Sequence, residues 1–183
     1  KAFLDRLRAL EGTQVIERSS GTLQDQVQES LQIASEAGYP YLLYTESNKE
    51  QFFRNGLTSF VKQAMFSINA EKNPGVVLAS RTPKSFASFP PFQRFEESLT
   101  NQLIARLIGE DHAVDYTYGP RILSSNLVPY LDRIQEDVGW GWMSFLTIIA
   151  KRLGKSVLSV VLDLPCPEEE RGEGGVERIF RLS

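Results

Sequence analysis

The chain has 183 residues, of which 42% are apolar and 23% charged, and its formal net charge is −3. A chain of this length buries on the order of 70% of its unfolded surface, so its core needs no disulfide or metal for support. A single Cys and a single His exclude a disulfide scaffold, a zinc finger and a Cys/His metal cluster. We therefore expect neither a metal nor a cofactor.

Length predicts one α/β domain over residues 1–183, because domains commonly hold roughly 100–200 residues. The chain begins with Lys1 rather than Met, which is also compatible with a fragment of a longer protein. No apolar run approaches the ~18–20 residues that cross a membrane. The charged start over residues 1–6 lacks the apolar centre of a signal peptide. A cytoplasmic or nuclear location is the default expectation, with no membrane span.

Apolar spacing and capping residues predict the helices. Thr22, with Asp25 three residues later, is typical of a helix N-terminus, and Gly38 is typical of the end of that helix. The helix over 96–108 is expected to carry Leu99, Leu103, Ile104 and Leu107 on one face. The remaining predicted helices cover residues 1–10, Ser47 or Asn48 to just before Asn73, 127–134 and 140–153.

Six segments are predicted as strands, near 13–17, 40–45, 75–80, 113–118, 157–164 and 176–182. The continuously apolar run at 76–79 is typical of a strand buried on both faces. Helix followed by strand, twice in succession, indicates a parallel sheet, whereas 176–182 alternates like an antiparallel return strand. The expected fold is a three-layer α/β domain with helices on both faces of a mixed, mostly parallel sheet of 5–6 strands. It resembles a receiver-like or Rossmann-like core without the glycine fingerprint of a ligand site.

Gly154-Lys155-Ser156 ends like a phosphate-binding loop, Gly-x4-Gly-Lys-Ser/Thr. The first glycine of that motif is replaced by Ile149, and the string joins a predicted helix to a strand rather than a strand to a helix. We therefore interpret Gly154 as a helix C-cap followed by a lysine that favours the helix C-terminus.

Glu110-Asp111-His112, with Asp115 close behind, is where a histidine base has carboxylates nearby. These residues would serve a small-molecule or nucleotide enzyme, or they could simply be polar residues of a helix-to-strand turn. No nucleophile is placed beside them, and Cys166 precedes three glutamates, which should raise its thiol pKa. No catalytic residue is assigned, and the role of residues 110–115 stays open.

An aromatic and basic segment over 81–95 is the most informative feature of the sequence. Its phenylalanines recur every third residue, the period of polyproline II, which Pro90-Pro91 favours. Its cations occur without an intervening acid. The seven candidate partner-binding residues are Arg81, Lys84, Phe86, Phe89, Phe92, Arg94 and Phe95.

Three interpretations of this segment remain open. It could be a crossover that its phenylalanines pin to the core, an anchor for a protein partner, or a stacking surface for single-stranded nucleic acid. Together with the missing catalytic motifs, it favours a non-catalytic protein–protein interaction or regulatory domain, such as an adaptor within a larger assembly. The rivals are the His112 enzyme and a single-stranded nucleic-acid binder through 81–95. The partner's identity and the oligomeric state are not predicted.

Overall fold

The computed structural model describes residues 2–17, 19, 21–111 and 114–168. Within these ranges the chain is mixed α/β, with helices arranged around a four-stranded sheet. The helices are α1 (Ala2–Arg8), α2 (Leu23–Glu36), α3 (Leu57–Ala70), α4 (Pro83–Ala87), α5 (Pro91–Ile108) and α6 (Gly141–Arg152). A π-helical turn (Phe52–Gly56) precedes α3, and a 3-10 helix (Ser125–Arg133) precedes α6. The strands are β1 (Tyr41–Tyr44), β2 (Pro74–Arg81), β3 (Arg121–Ser124) and β4 (Ser156–Leu162).

Helix α2 forms where its capping residues predict it. The side chain of Thr22 accepts a hydrogen bond from the backbone N–H of Asp25 at 3.1 Å, which satisfies one free amide of the first turn. At the other end, Gly38 adopts φ +79°, a left-handed conformation that glycine enters without a Cβ clash. Local sequence is therefore sufficient to set both ends of this helix.

The strand order is β1-β3-β2-β4, and the sheet is mixed, as predicted. Strand β2 pairs in parallel with β4, but β3 is antiparallel to both of its neighbours, β1 and β2. The expectation of a mostly parallel sheet is thus wrong. The reason lies between β2 and β3, where helix α5 carries the chain away from the end of β2 and residues 114–120 bring it back. Strand β3 consequently begins at the end of the sheet where β2 finishes.

Two of the predicted strands do not form. Residues 13–17 lie mostly exposed with no ladder, because no strand among the described residues lies beside them to pair their backbone groups. Residues 114–118 form no ladder either, and the N–H of Tyr116 donates to Asn101 Oδ1 at 2.9 Å instead of to a strand. The predicted strand at 176–182 lies outside the described residues.

The core forms two buried clusters, and β2 contributes to both because its side chains alternate in direction. Val76 and Leu78 join a cluster built with α2, α5, the 3-10 helix and α6. Val77 and Ala79 join the other, built with the π-helical turn, α3 and β4. Every residue of β2 is buried, which confirms the prediction from the apolar run at 76–79.

The aromatic segment is helical rather than polyproline II. Thr82 caps α4 by accepting from the N–H of Ser85 at 3.1 Å, and Pro83 occupies the first position of that helix. Pro91 likewise begins α5. Proline is favoured at a first helical position because its missing N–H would have no helical partner there. The prolines of this segment therefore start helices instead of extending the chain.

No helix among the described residues is long and apolar enough to cross a membrane.

Candidate functional site

Arg81 ends the central strand β2, and its side chain turns into the protein. Its Nε lies 2.6 Å from Asp115 Oδ2 and its Nη2 lies 3.1 Å from Asp115 Oδ1, which makes the pair bidentate. Nη2 also lies 2.6 Å from Glu97 Oε2 on α5. The guanidinium thus joins β2, the first half of α5 and the segment that leads into β3.

Three aromatic rings enclose the same guanidinium. Its carbon lies 4.3 Å from the ring centre of Phe89, 4.8 Å from Phe86 and 5.0 Å from Tyr118. Such contacts are favourable because the face of an aromatic ring is electron-rich. The side chain of Arg81 is 1% exposed, so the aromatic cage keeps its ion pairs away from water.

Burial and pairing act in opposite directions on the Arg81–Asp115 pair. Burial alone would raise the pKa of the Asp115 carboxyl, but the hydrogen bonds and positive charge of Arg81 outweigh it and hold that pKa below its usual value. Burial alone would lower the pKa of Arg81, but Asp115 and Glu97 raise it overall. Both groups are therefore charged in the folded protein near neutral pH.

The seven residues predicted to bind a partner consequently separate into two groups. Arg81, Phe86 and Phe89 come together in the enclosed cluster just described. The other four lie around and beyond it. Lys84 and Phe95 are exposed, whereas Phe92 and Arg94 are half-buried at the start of α5.

Helix α5 carries apolar side chains on its outer face as well as on its inner face. Its inner face buries Asn101, Ile104, Ala105 and Ile108. On the outer face the exposed fractions are 62% for Phe95, 52% for Leu99, 57% for Leu103 and 43% for Leu107. The sequence periodicity predicts one buried face that holds Leu99, Leu103, Ile104 and Leu107. In the structure only Ile104 of these four is buried.

The residues of the predicted His112 site do not converge in the described part of the chain. His112 itself lies outside the described residues. Asp115 is committed to Arg81, and Glu110 lies on the surface, where its Oε1 is 2.6 Å from Lys151 Nζ. No group of three or more His, Cys, Asp and Glu side chains within the described ranges could hold a metal.

The phosphate-loop candidate is a helix end, as its local sequence predicts. Gly154 has φ +68° at the C-terminus of α6, and Lys155 Nζ lies 3.0 Å from Asn73 Oδ1. Cys166 is buried, and its backbone N–H donates to Ser88 Oγ at 2.8 Å.

Sequence reasoning missed a second buried arginine. Arg121 begins β3 and donates to the carbonyl oxygens of Gly119, Met143 and Tyr116 at 2.9, 3.1 and 3.1 Å. Burial is the main cause that lowers the pKa of Arg121 to about 10, against the opposing charge of Glu46. The local sequence signal for Arg121 is a cationic residue directly before the apolar residues of β3. A single sequence does not show whether such an arginine is buried or exposed.

The chain matches no protein-family model and no curated protein sequence.

Proposed function

We propose that this chain is a non-catalytic protein–protein interaction domain whose binding surface is the outer face of α5. The observation that supports this most directly is the apolar stripe of Phe95, Leu99, Leu103 and Leu107, each about half exposed. Contiguous exposed apolar residues on a helix are typical of a surface that another protein covers.

The stripe has the dimensions of a helix-recognition surface. Its members follow at four-residue intervals, and twelve residues at about 1.5 Å each extend over roughly 18 Å of helix. Helices that bind through such a face insert their apolar side chains into a groove of the partner or pack against a partner helix. The partner would accordingly present an apolar groove or an apolar helix face.

The predicted aromatic segment has two roles in this proposal. Arg81, Phe86 and Phe89 fix the position of the first turns of α5, since the Arg81 guanidinium binds Glu97 on that helix. Phe95 is the first residue of the stripe, Phe92 precedes it by one helical turn, and Arg94 is its neighbour in the chain. Lys84, exposed on α4, is the remaining candidate contact. The enclosed cluster thus orients the surface, and the exposed residues would make contact.

We also infer that the sheet is the middle layer of three. The two buried clusters use alternate residues of β2, which is the pattern of a sheet covered on both faces. In that arrangement α5 belongs to an outer layer, where its second apolar face is available to a partner.

The proposal is tested by introducing charge into the stripe. The Leu99→Asp/Leu103→Asp variant should bind the partner about 100-fold more weakly, because central apolar anchors carry most of the binding energy of an interface. A photoreactive residue at position 103 identifies the partner in a cell extract, and affinity is then measured by calorimetry. Competition by unlabelled wild-type protein, and not by the double variant, should abolish the cross-link.

Leu4→Asp is the matched control, because Leu4 is an exposed leucine on a different helix, α1. It should leave the partner's affinity unchanged. A double variant that keeps its circular dichroism spectrum and retains full affinity would refute the proposal. If the captured partner is single-stranded nucleic acid whose affinity falls steeply with salt, the rival function holds instead.

A further inference from the structure

The end of the sheet at which β1, β2 and β4 begin holds a pocket that the proposed function does not use. Its volume is about 370 Å³, within the usual range of small-molecule sites. Strand β3 ends here, because it runs antiparallel to β1 and β2. Each strand thus brings a residue to the pocket: Tyr41 begins β1, Pro74 begins β2, Ser124 ends β3 and Lys155 precedes β4.

This pocket lies at the opposite end of the sheet from the Arg81 cluster. At that other end β2 and β4 finish side by side, and the carbonyl of Leu162 accepts from the N–H of Thr82 at 2.9 Å. Seven residues of β4 at about 3.3 Å each separate the two ends by roughly 23 Å. The described chain after β4 therefore leaves the sheet away from the pocket.

The charged side chains that line this pocket among the described residues are two lysines, Lys72 and Lys155. Neither of them forms an ion pair within the described ranges. Glu71 adjoins Lys72 in the chain, but its Oε2 accepts from Ser156 Oγ at 2.9 Å and it does not line the pocket. Two ammonium groups without an opposite charge produce a positive potential, which favours an anionic ligand.

Neutral groups hold Lys155 in place at the pocket. Its Nζ donates to Asn73 Oδ1 at 3.0 Å, and Asn73 Nδ2 donates to the carbonyl of Gly154 at 3.1 Å. The register between β2 and β4 shifts at Gly75, where an added Cβ would lie 2.7 Å from Lys155 Cβ. Such irregularities commonly lie next to functional sites, because they redirect a side chain. Bound to an amide rather than a carboxylate, Lys155 keeps its charge and two N–H groups for a ligand.

Neutral hydrogen-bond donors line the pocket where the 3-10 helix begins, at Ser124, Ser125 and Asn126. Asn126 Oδ1 accepts from Ser124 Oγ at 3.0 Å, whereas the N–H groups of the same amide donate to no described residue. No side chain caps this end of the helix. The partial positive charge of its first N–H groups adds to the charge of the two lysines.

We propose that this pocket binds the phosphate group of a small molecule. Lys72 and Lys155 compensate its negative charge, and the Asn126 amide donates to one of its oxygens. A phosphate group suits two lysines better than a carboxylate does, because it carries close to two negative charges and three strong acceptor oxygens. The inference is independent of the binding surface on α5.

The size of the pocket favours a phosphate monoester over the free ion. Five heavy atoms at about 30 Å³ each, the share of one water molecule in the liquid, fill less than half of its volume. The rest of the pocket is lined in part by Pro40, Tyr41 and Pro74. These ring-shaped side chains provide an apolar wall for the organic part of the ligand.

Titrations of the full chain at constant ionic strength, followed by the NMR signals of its backbone amides, test the site. The probes are inorganic phosphate and adenosine monophosphate, with adenosine as the compound without phosphate. Both phosphate compounds should shift the amide signals of Asn73, Ser125 and Asn126 in a saturable manner, and adenosine should not. Tighter binding of adenosine monophosphate identifies a monoester as the source of the phosphate group, whereas equal affinity identifies the free ion.

Charge-removing variants show which lysines bind the anion. Lys155→Gln and Lys72→Gln should each weaken the binding of both phosphate compounds about 10-fold, the usual effect of losing a hydrogen bond to a charged group. Lys62→Gln is the matched control, because Lys62 is exposed on α3 and likewise forms no ion pair with a described residue. It removes the same charge outside the pocket and should leave the affinity unchanged.

Two outcomes would overturn the proposal. One is the absence of saturable shifts at Asn73, Ser125 and Asn126 with either phosphate compound, including the case in which another part of the same chain fills the pocket. The other is an equal loss of affinity in Lys62→Gln and Lys155→Gln, since the anion would then respond only to the net charge of the protein.

Discussion

At the scale of single residues, Arg81 carries the largest concentration of specific interactions in the described structure. One guanidinium binds two carboxylates and contacts three aromatic rings, although its side chain is almost fully enclosed. Moving a charge out of water is unfavourable. The attraction between two buried opposite charges offsets this desolvation penalty only while both partners are present. The arrangement should therefore respond strongly to the loss of one partner.

Asp115→Asn should destabilise the protein by about 3 kcal/mol, because it leaves the buried Arg81 with Glu97 as its only ionic partner. Urea unfolding at neutral pH measures the change. Glu110→Gln is the matched control, since Glu110 pairs with Lys151 at the same 2.6 Å but on the surface. That control should change the free energy of unfolding by less than about 1 kcal/mol. Equal effects of the two variants would mean that the buried pair contributes no more than a surface pair.

At the scale of secondary-structure elements, the caps explain which local predictions were correct. The N-cap of α2 at Thr22, its glycine at 38 and the glycine at 154 behave as their sequence indicates. The outer face of α5 was predicted wrongly because this helix is apolar on both faces. Periodicity then cannot identify the face that packs against the sheet.

Thr22→Ala should cost about 1 kcal/mol of stability, because the first turn of α2 loses a side-chain acceptor for the N–H of Asp25. Thermal or urea unfolding measures it. Thr100→Ala provides a control with the same chemical change inside α5, where the threonine hydroxyl bonds to the carbonyl of Glu96. Because alanine has the higher helix propensity, this control should be neutral or stabilising by up to about 0.5 kcal/mol. A loss of equal size at both positions would argue against a capping role.

At the scale of the whole molecule, the lowered pKa of Asp115 makes stability depend on pH. The unfolded chain binds a proton at this carboxyl near pH 3.9, whereas the folded protein binds it only at lower pH. The contribution of Asp115 is therefore complete above the unfolded pKa and is lost as the pH falls toward the folded pKa. The free energy of unfolding should decrease with acidification in this window.

Urea midpoints measured from pH 6 down to pH 3 test this dependence. The wild type should lose stability more steeply below about pH 4 than Asp115→Asn does, so the two curves should converge in acid. Parallel curves would show that Asp115 does not titrate with a lowered pKa in the folded protein.

The sequence alone determined much of the local structure. Apolar runs and capping residues located α2, β2, α6 and β4 to within a few residues, because helix ends and buried strands depend on nearby side chains. The mixed α/β class followed from the same patterns. The aromatic and basic composition of 81–95 is likewise visible in the sequence, but its helical conformation is not.

Only the tertiary structure decided how these parts meet. The direction of β3, the enclosure of Arg81 by Asp115 and the exposure of Leu99 and Leu103 all depend on residues far apart in the chain. A strand forms only where a second strand offers partners, which is why 13–17 and 114–118 remain unpaired as strands. The absence of charge in β4 is visible in its sequence, whereas its place next to β2 at the end of the described sheet is decided by the tertiary structure.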